Sequence, residues 1–157
     1  MKTAIIYYSK HSTTEKVAHL IGDQIDSNEV DYISLKTNKA PDISTFDQII
    51  IGTSIYAGNP AKEITSFCNN NRKLLEQKKI GLFICCMDKY KEQEQLKSAF
   101  PAFLHAIAIA SGCMGGEFLF ENMNFLERFA IKRIVKTNTS VSNLNDEAIR
   151  LFSGKFK

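Results

Sequence analysis

Ala4-Ile5-Ile6-Tyr7-Tyr8-Ser9-Lys10-His11-Ser12-Thr13-Thr14-Glu15-Lys16-Val17-Ala18 joins three patterns in fifteen residues. Residues 4–8 are apolar without alternation and rich in β-branched and aromatic side chains, the mark of a strand covered on both faces. Residues 9–14 carry four hydroxyls, a Lys and a His. Val17, Ile21 and Ile25 then recur every four residues with Ala18 beside them, one face of a helix over residues 14–26. A doubly covered strand, a polar loop and an amphipathic helix open a βαβ unit, and hence a parallel sheet with helices on both faces.

The pattern repeats downstream. Residues 30–35 read as a second strand, 49–51 (closed by Gly52) as a third, 80–86 as a fourth and 115–120 as a short fifth. Helices are expected over 61–70, where Pro60 suits the first turn, and over 92–110 with a break at Pro101. Two closing helices cover 126–136 and 146–152. Right-handed crossovers leave few topologies. The expectation is one α/β domain over residues 1–157, a doubly wound five-stranded parallel sheet of order 2-1-3-4-5. In such sheets ligands sit at the carboxyl ends of strands, where the winding reverses. The loops after strands one, three and four are therefore the places to search.

Composition sets the outer limits. Hydrophobic residues make up 44% and charged ones 24% of 157, an ordinary globular balance. The net charge of +3 is mild and scattered, too thin a footprint for a dedicated nucleic-acid binder. Cys68, Cys85, Cys86 and Cys113 show neither C-x-x-C nor zinc spacing. The neighbours Cys85 and Cys86 lie inside an apolar run, as reduced core thiols of a cytoplasmic protein would. The first ten residues hold too short an apolar run for a secretory signal. Residues 98–116 carry no formal charge, yet Pro101, His105, Ser111 and three glycines interrupt them. They read as a buried helix and strand, with no membrane span.

In the first loop, hydroxyls beside the amides and positive dipole end of a helix suit a phosphate. The plainer alternative is an N-cap, which needs one hydroxyl rather than four. Neither a Walker loop nor a dinucleotide fingerprint is present. In the second loop, 52–60, Gly52 and Gly58 permit tight turns and Tyr56 offers a flat face for a ring; an ordinary surface loop is the alternative. The third loop, 86–90, holds Met87, Asp88 and Tyr90, and also reads as a simple turn. His19 and His105 fit structural roles. Phe118, Phe120, Phe125 and Phe129 read as core or as a docking surface.

Residues 5–18 resemble the flavodoxin signature, with Tyr7, Ser9, Thr14 and Ala18 at matching places and Ser12 where the family usually has Gly. The resemblance covers nearly the whole chain and implies non-covalent FMN. It implies phosphate contacts from Ser9, Lys10, His11, Ser12, Thr13 and Thr14. Ring contacts would come from Thr53, Ser54, Ile55, Tyr56, Ala57 and Gly58, and from Met87, Asp88 and Tyr90. The implied function is electron transfer to a redox partner protein. The segments 52–56 and 126–136 are also similar to the flavodoxin-type protoporphyrinogen oxidases. That likeness implies an alternative, an FMN-dependent oxidoreductase acting on a small-molecule substrate and passing electrons to a quinone. A flavin-free interaction domain is a third expectation. Lys10, Lys62 and Lys89, in or near the loops, predict a positive field at the ring.

Overall fold

The computed structural model describes residues 1–27, 29–135 and 140–157. Strand β1 (Lys2–Tyr8) leads into helix α1 (Thr13–Gly22), then β2 (Glu29–Ser34) and β3 (Gln48–Ser54). Helices α2 (Lys62–Asn70) and α3 (Arg72–Leu75) precede β4 (Lys79–Cys85). Then come α4 (Glu92–Ala99), α5 (Ala102–Ile107) and β5 (Ala108–Cys113). Five strands form one parallel sheet of order β2-β1-β3-β4-β5, the order expected.

The uninterrupted apolar runs have the predicted cause. Ala4 and Ile6 of β1, Ile49 and Ile51 of β3, and Leu82 and Ile84 of β4 bury one face beneath Ile64, Phe67, Leu96 and Leu104 of α2, α4 and α5. Their neighbours Ile5, Tyr7, Ile50 and Phe83 bury the other face beneath Val17, Ala18 and Ile21 of α1. Ile149 and Phe152 of α7 (Asp146–Ser153), and Phe156 after it, complete that layer. Gly52 and Phe83 are direct partners across β3 and β4. A Cβ on Gly52 would lie 2.0 Å from Phe83 Cζ, so the absent side chain leaves the space the ring fills.

The fifth strand is placed differently from the expectation. It occupies Ala108–Cys113, beginning within the last three residues of the stretch read as helix (92–110) and ahead of the expected 115–120, and α5 ends at Ile107. Gly115–Phe118 forms a strand, β6, of a separate antiparallel pair with β7 (Val141–Leu144). Between them runs α6 (Phe125–Val135); residue 136, the expected end of that helix, lies outside the described residues. His19 stacks on Tyr32 with ring centroids 4.0 Å apart, and His105 Nε2 meets the Lys97 carbonyl at 3.1 Å, so both serve structure. The four phenylalanines divide: Phe120 is buried with Phe118 packed on it, while Phe125 and Phe129 are exposed.

Candidate functional site

The carboxyl ends of β1, β3 and β4 converge on a cavity of about 540 Å³, within the range of cofactor sites. Its walls bring together Ser9, Lys10, His11, Thr13, Thr14, Ser54, Ile55, Tyr56, Ala57, Gly58, Met87 and Asp88 from the expected loops. Three expected residues stand off those walls. Ser12 faces a neighbouring hollow with Tyr7 and Glu15. Thr53 is fully buried, its Oγ1 accepting the Ala61 amide at 3.3 Å and donating to the Ser54 carbonyl at 3.2 Å. Tyr90 is fully exposed, so the third loop contributes Met87 and Asp88.

Ser12 is the N-cap of α1, but its side chain makes no capping bond, and its φ of 75° is left-handed. That removes the simple explanation for the hydroxyls. The Oγ of Ser9 and Oγ1 of Thr14 are buried and have no hydrogen-bond partner among the described residues, although both residues line the cavity. A buried hydroxyl without a partner costs about 1–3 kcal/mol, so it needs a ligand, a water or a reason. The first-turn amides of α1 (ten residues) lie beside them, with no partner inside the helix by construction. On the outer side, the Tyr7 hydroxyl donates to Glu15 Oε1 at 3.0 Å. Burial and that bond push the phenol up to about 12, so it remains a neutral donor near pH 7.

The second loop is a two-residue hairpin. Tyr56 and Asn59 exchange backbone bonds of 3.0 Å around Ala57 (φ 49°) and Gly58 (φ 79°). Two successive left-handed residues are what the tightest hairpin turn requires. The turn presents the Tyr56 ring beneath Lys10, whose Nζ lies 4.0 Å from the ring centroid.

Two carboxylates complete the site, and no local pattern announced them because their partners are about a hundred residues away. Glu127 of α6 binds Lys10 Nζ at 2.6 Å, and its other oxygen lies 3.3 Å from His11 Nε2. His11 Nδ1 meets the Asn122 carbonyl at 2.9 Å. The Lys10 hydrogen bond holds the Glu127 carboxyl below the usual carboxylate range and raises the lysine in turn. This pair is present at neutral pH; it is lost as pH falls through the lowered carboxyl value or rises through the raised lysine value. Glu117 of β6 accepts from Lys16 Nζ (2.9 Å), Ser142 Oγ (2.8 Å) and Thr13 Oγ1 (3.2 Å). Burial pushes its carboxyl up, but these bonds and the Lys16 charge outweigh it and hold it below the ordinary range. Glu117 and Glu127 thus clamp the first loop to the β6–α6–β7 segment while each is neutralised by a lysine.

The expected positive field is corrected by these pairs. Lys62 and Lys89 are exposed and off the walls, Lys10 is matched by Glu127, and against Lys91 the walls carry Asp88, Glu94 and Glu117. Among the described residues, no group of three or more His, Cys, Asp or Glu could hold a metal, and no helix is long and apolar enough to cross a membrane.

A flavodoxin domain profile matches residues 4–144. No protein of curated function matches the sequence. Among solved structures the chain is similar to oxidised flavodoxin 1 from Bacillus cereus, with a TM-score of 0.60 and 16% identity over 99% of this chain and 97% of that one. It is also similar to a WrbA-like flavodoxin protein from Agrobacterium tumefaciens (TM-score 0.58, 15% identity, 99% and 94% covered). A third likeness is to rubredoxin oxygen:oxidoreductase from Desulfovibrio gigas, with a TM-score of 0.63 and 13% identity; it covers 99% of this chain and 35% of that one. At such identities the likeness is one of fold.

Proposed function

Because this chain belongs to the flavodoxin domain family, we propose that it binds FMN non-covalently at the ends of β1, β3 and β4 and acts in electron transfer. The observation that carries this is the pair of buried, unpartnered hydroxyls of Ser9 and Thr14 on the cavity wall. They fit a phosphate, which accepts hydrogen bonds from hydroxyls and amides alike. The Ser9 and Thr14 hydroxyls and the α1 amides, Thr13 among them, would hold that phosphate, with Lys10 and His11 beside it and Ser12 turning the chain. Ser54, Ile55, Tyr56, Ala57, Gly58, Met87 and Asp88 would border the ring. Bound FMN supplies one- and two-electron chemistry.

The chain's own contribution is placement. The apolar side chains of Ile55, Met87, Met123 and Ile131 on the cavity wall would keep water from the bound ring. The Lys10–Glu127 and Lys16–Glu117 pairs fix the loop without leaving a free carboxylate charge against the phosphate. A redox partner protein receives the electrons. Among the described residues no observation favours the quinone-linked oxidase alternative over a carrier.

Titration of the flavin-free chain with FMN and with riboflavin tests this. One or more hydrogen bonds to a charged group, at about 1.5–3 kcal/mol each, make FMN the tighter ligand by roughly tenfold or more. Equal affinities, or no binding of FMN, would sink the proposal.

A further inference from the structure

Cys86 follows β4 and Cys113 ends β5, on adjacent parallel strands. Ile84 and Cys113 are direct partners, so Cys86, two residues beyond Ile84, points to the same face of the sheet. The two sulfur atoms are 2.8 Å apart, well inside van der Waals contact, and all four cysteines are free thiols. Cys86 is on the cavity wall and 7% exposed, while Cys113 is half-buried. The other two thiols are placed differently. Cys85 reaches the cavity from the opposite face of the sheet, and Cys68 of α2 is buried in the core away from it.

We propose that Cys86, on the cavity wall, and Cys113, at the end of β5 beside it, form a dithiol–disulfide couple, oxidised by a low-molecular-weight disulfide and restored by a small thiol. The couple needs no flavin and stands or falls apart from the function proposed above.

Cys113 is the attacking sulfur. It is the more accessible of the two; either sulfur can donate in the contact they share, and the arrangement in which the Cys86 S–H donates holds the Cys113 thiol below its usual range. The same hydrogen bond and burial push the Cys86 thiol up, so Cys86 keeps its proton until the second step. The Cys113 thiolate attacks one sulfur of the small disulfide. Its S–S bond breaks, a mixed disulfide forms on Cys113, and one small thiolate leaves and takes a proton from water. Cys86 then loses its proton to solvent and attacks Sγ of Cys113, expelling the second small thiolate. Two protein thiols give up two electrons and two protons, one intramolecular S–S bond forms, and the small disulfide becomes two thiols.

The test uses the full chain under native conditions with oxidised glutathione. Unfolding, alkylation and fragment mapping by mass spectrometry follow, with fragmentation resolving Cys86 from Cys85. The expected product has lost two of its four alkylatable thiols, carries a Cys86–Cys113 cross-link, and regains both thiols with dithiothreitol. In Cys86→Ser, glutathione should remain attached to Cys113; in Cys113→Ser, no cross-link should form. Four thiols surviving in the unaltered chain would overturn the proposal. So would a cross-link between another pair, or a mixed disulfide that Cys86 never resolves. The unaltered chain decides the matter even if a variant fails to fold.

Discussion

Phe83→Ala is expected to lower stability by about 3–5 kcal/mol, a large part of the 5–15 kcal/mol that holds a typical domain together. Phe83 is fully buried on interior strand β4, and its ring lies edge-on to Phe152 with centroids 6.3 Å apart. Truncation removes the ring's transfer energy and leaves a hole bounded by β3, α1 and α7, none of which can collapse into it freely. The reverse insult, Gly52→Ala, places a methyl 2.0 Å from Phe83 Cζ and should cost about 1–3 kcal/mol or more by overpacking. The two sites touch, so their effects should not add. In a Phe83→Leu background, Gly52→Ala should cost clearly less than it does alone. Urea unfolding of the two single variants and the double measures this. A harmless Gly52→Ala, or strict additivity with Phe83→Leu, would show that the ring does not occupy the space left at Gly52.

The second expected result separates function from stability at two hydroxyls. Ser9→Ala and Thr14→Val should each weaken FMN binding by about 1–3 kcal/mol, roughly 5- to 150-fold. The double variant should lose less than the sum, because both groups serve one phosphate. In the flavin-free chain neither change should destabilise the fold, since each removes a buried hydroxyl that has no partner among the described residues to lose. Binding that falls while the unfolding midpoint holds or rises is the signature of a ligand contact. Unchanged affinity in both variants, or an unfolding loss as large as the affinity loss, would mean the hydroxyls serve the fold.

What was legible in the sequence was what repeats locally. Residues 4–8, 49–51 and 80–86 are apolar because both faces of β1, β3 and β4 are covered, so sheet order followed from strand–helix alternation. The fifth strand was misplaced for a physical reason. β5 lies at the sheet edge with alternating half-buried and exposed residues, as Ile109 and Ser111 show, and its Ala, Ser and Gly carry little strand preference. The apolar stretch after it satisfied the strand pattern equally well, and does form a strand, but in another sheet. The loops of the site were visible because hydroxyls and glycines cluster in sequence. Glu117 and Glu127 were not, because Thr13 meets Glu117 across 104 positions. Nor was Cys86–Cys113, a juxtaposition made by strand pairing alone.

The left-handed backbone at Ser12 changes what its place in the loop can mean through descent. An L-residue there gives up roughly 1–2 kcal/mol that Gly would not, and Asn or Asp would give up less. The constraint is therefore one of handedness rather than of size. Ser, Asn, Asp and Gly can replace one another at this point at modest expense, while Val, Ile and Thr are closed off by their branched Cβ. A motif spelled with an obligatory Gly would pass over chains like this one. A motif spelled as a torsion angle would gather them, and would admit Ala57 (φ 49°) for the same reason.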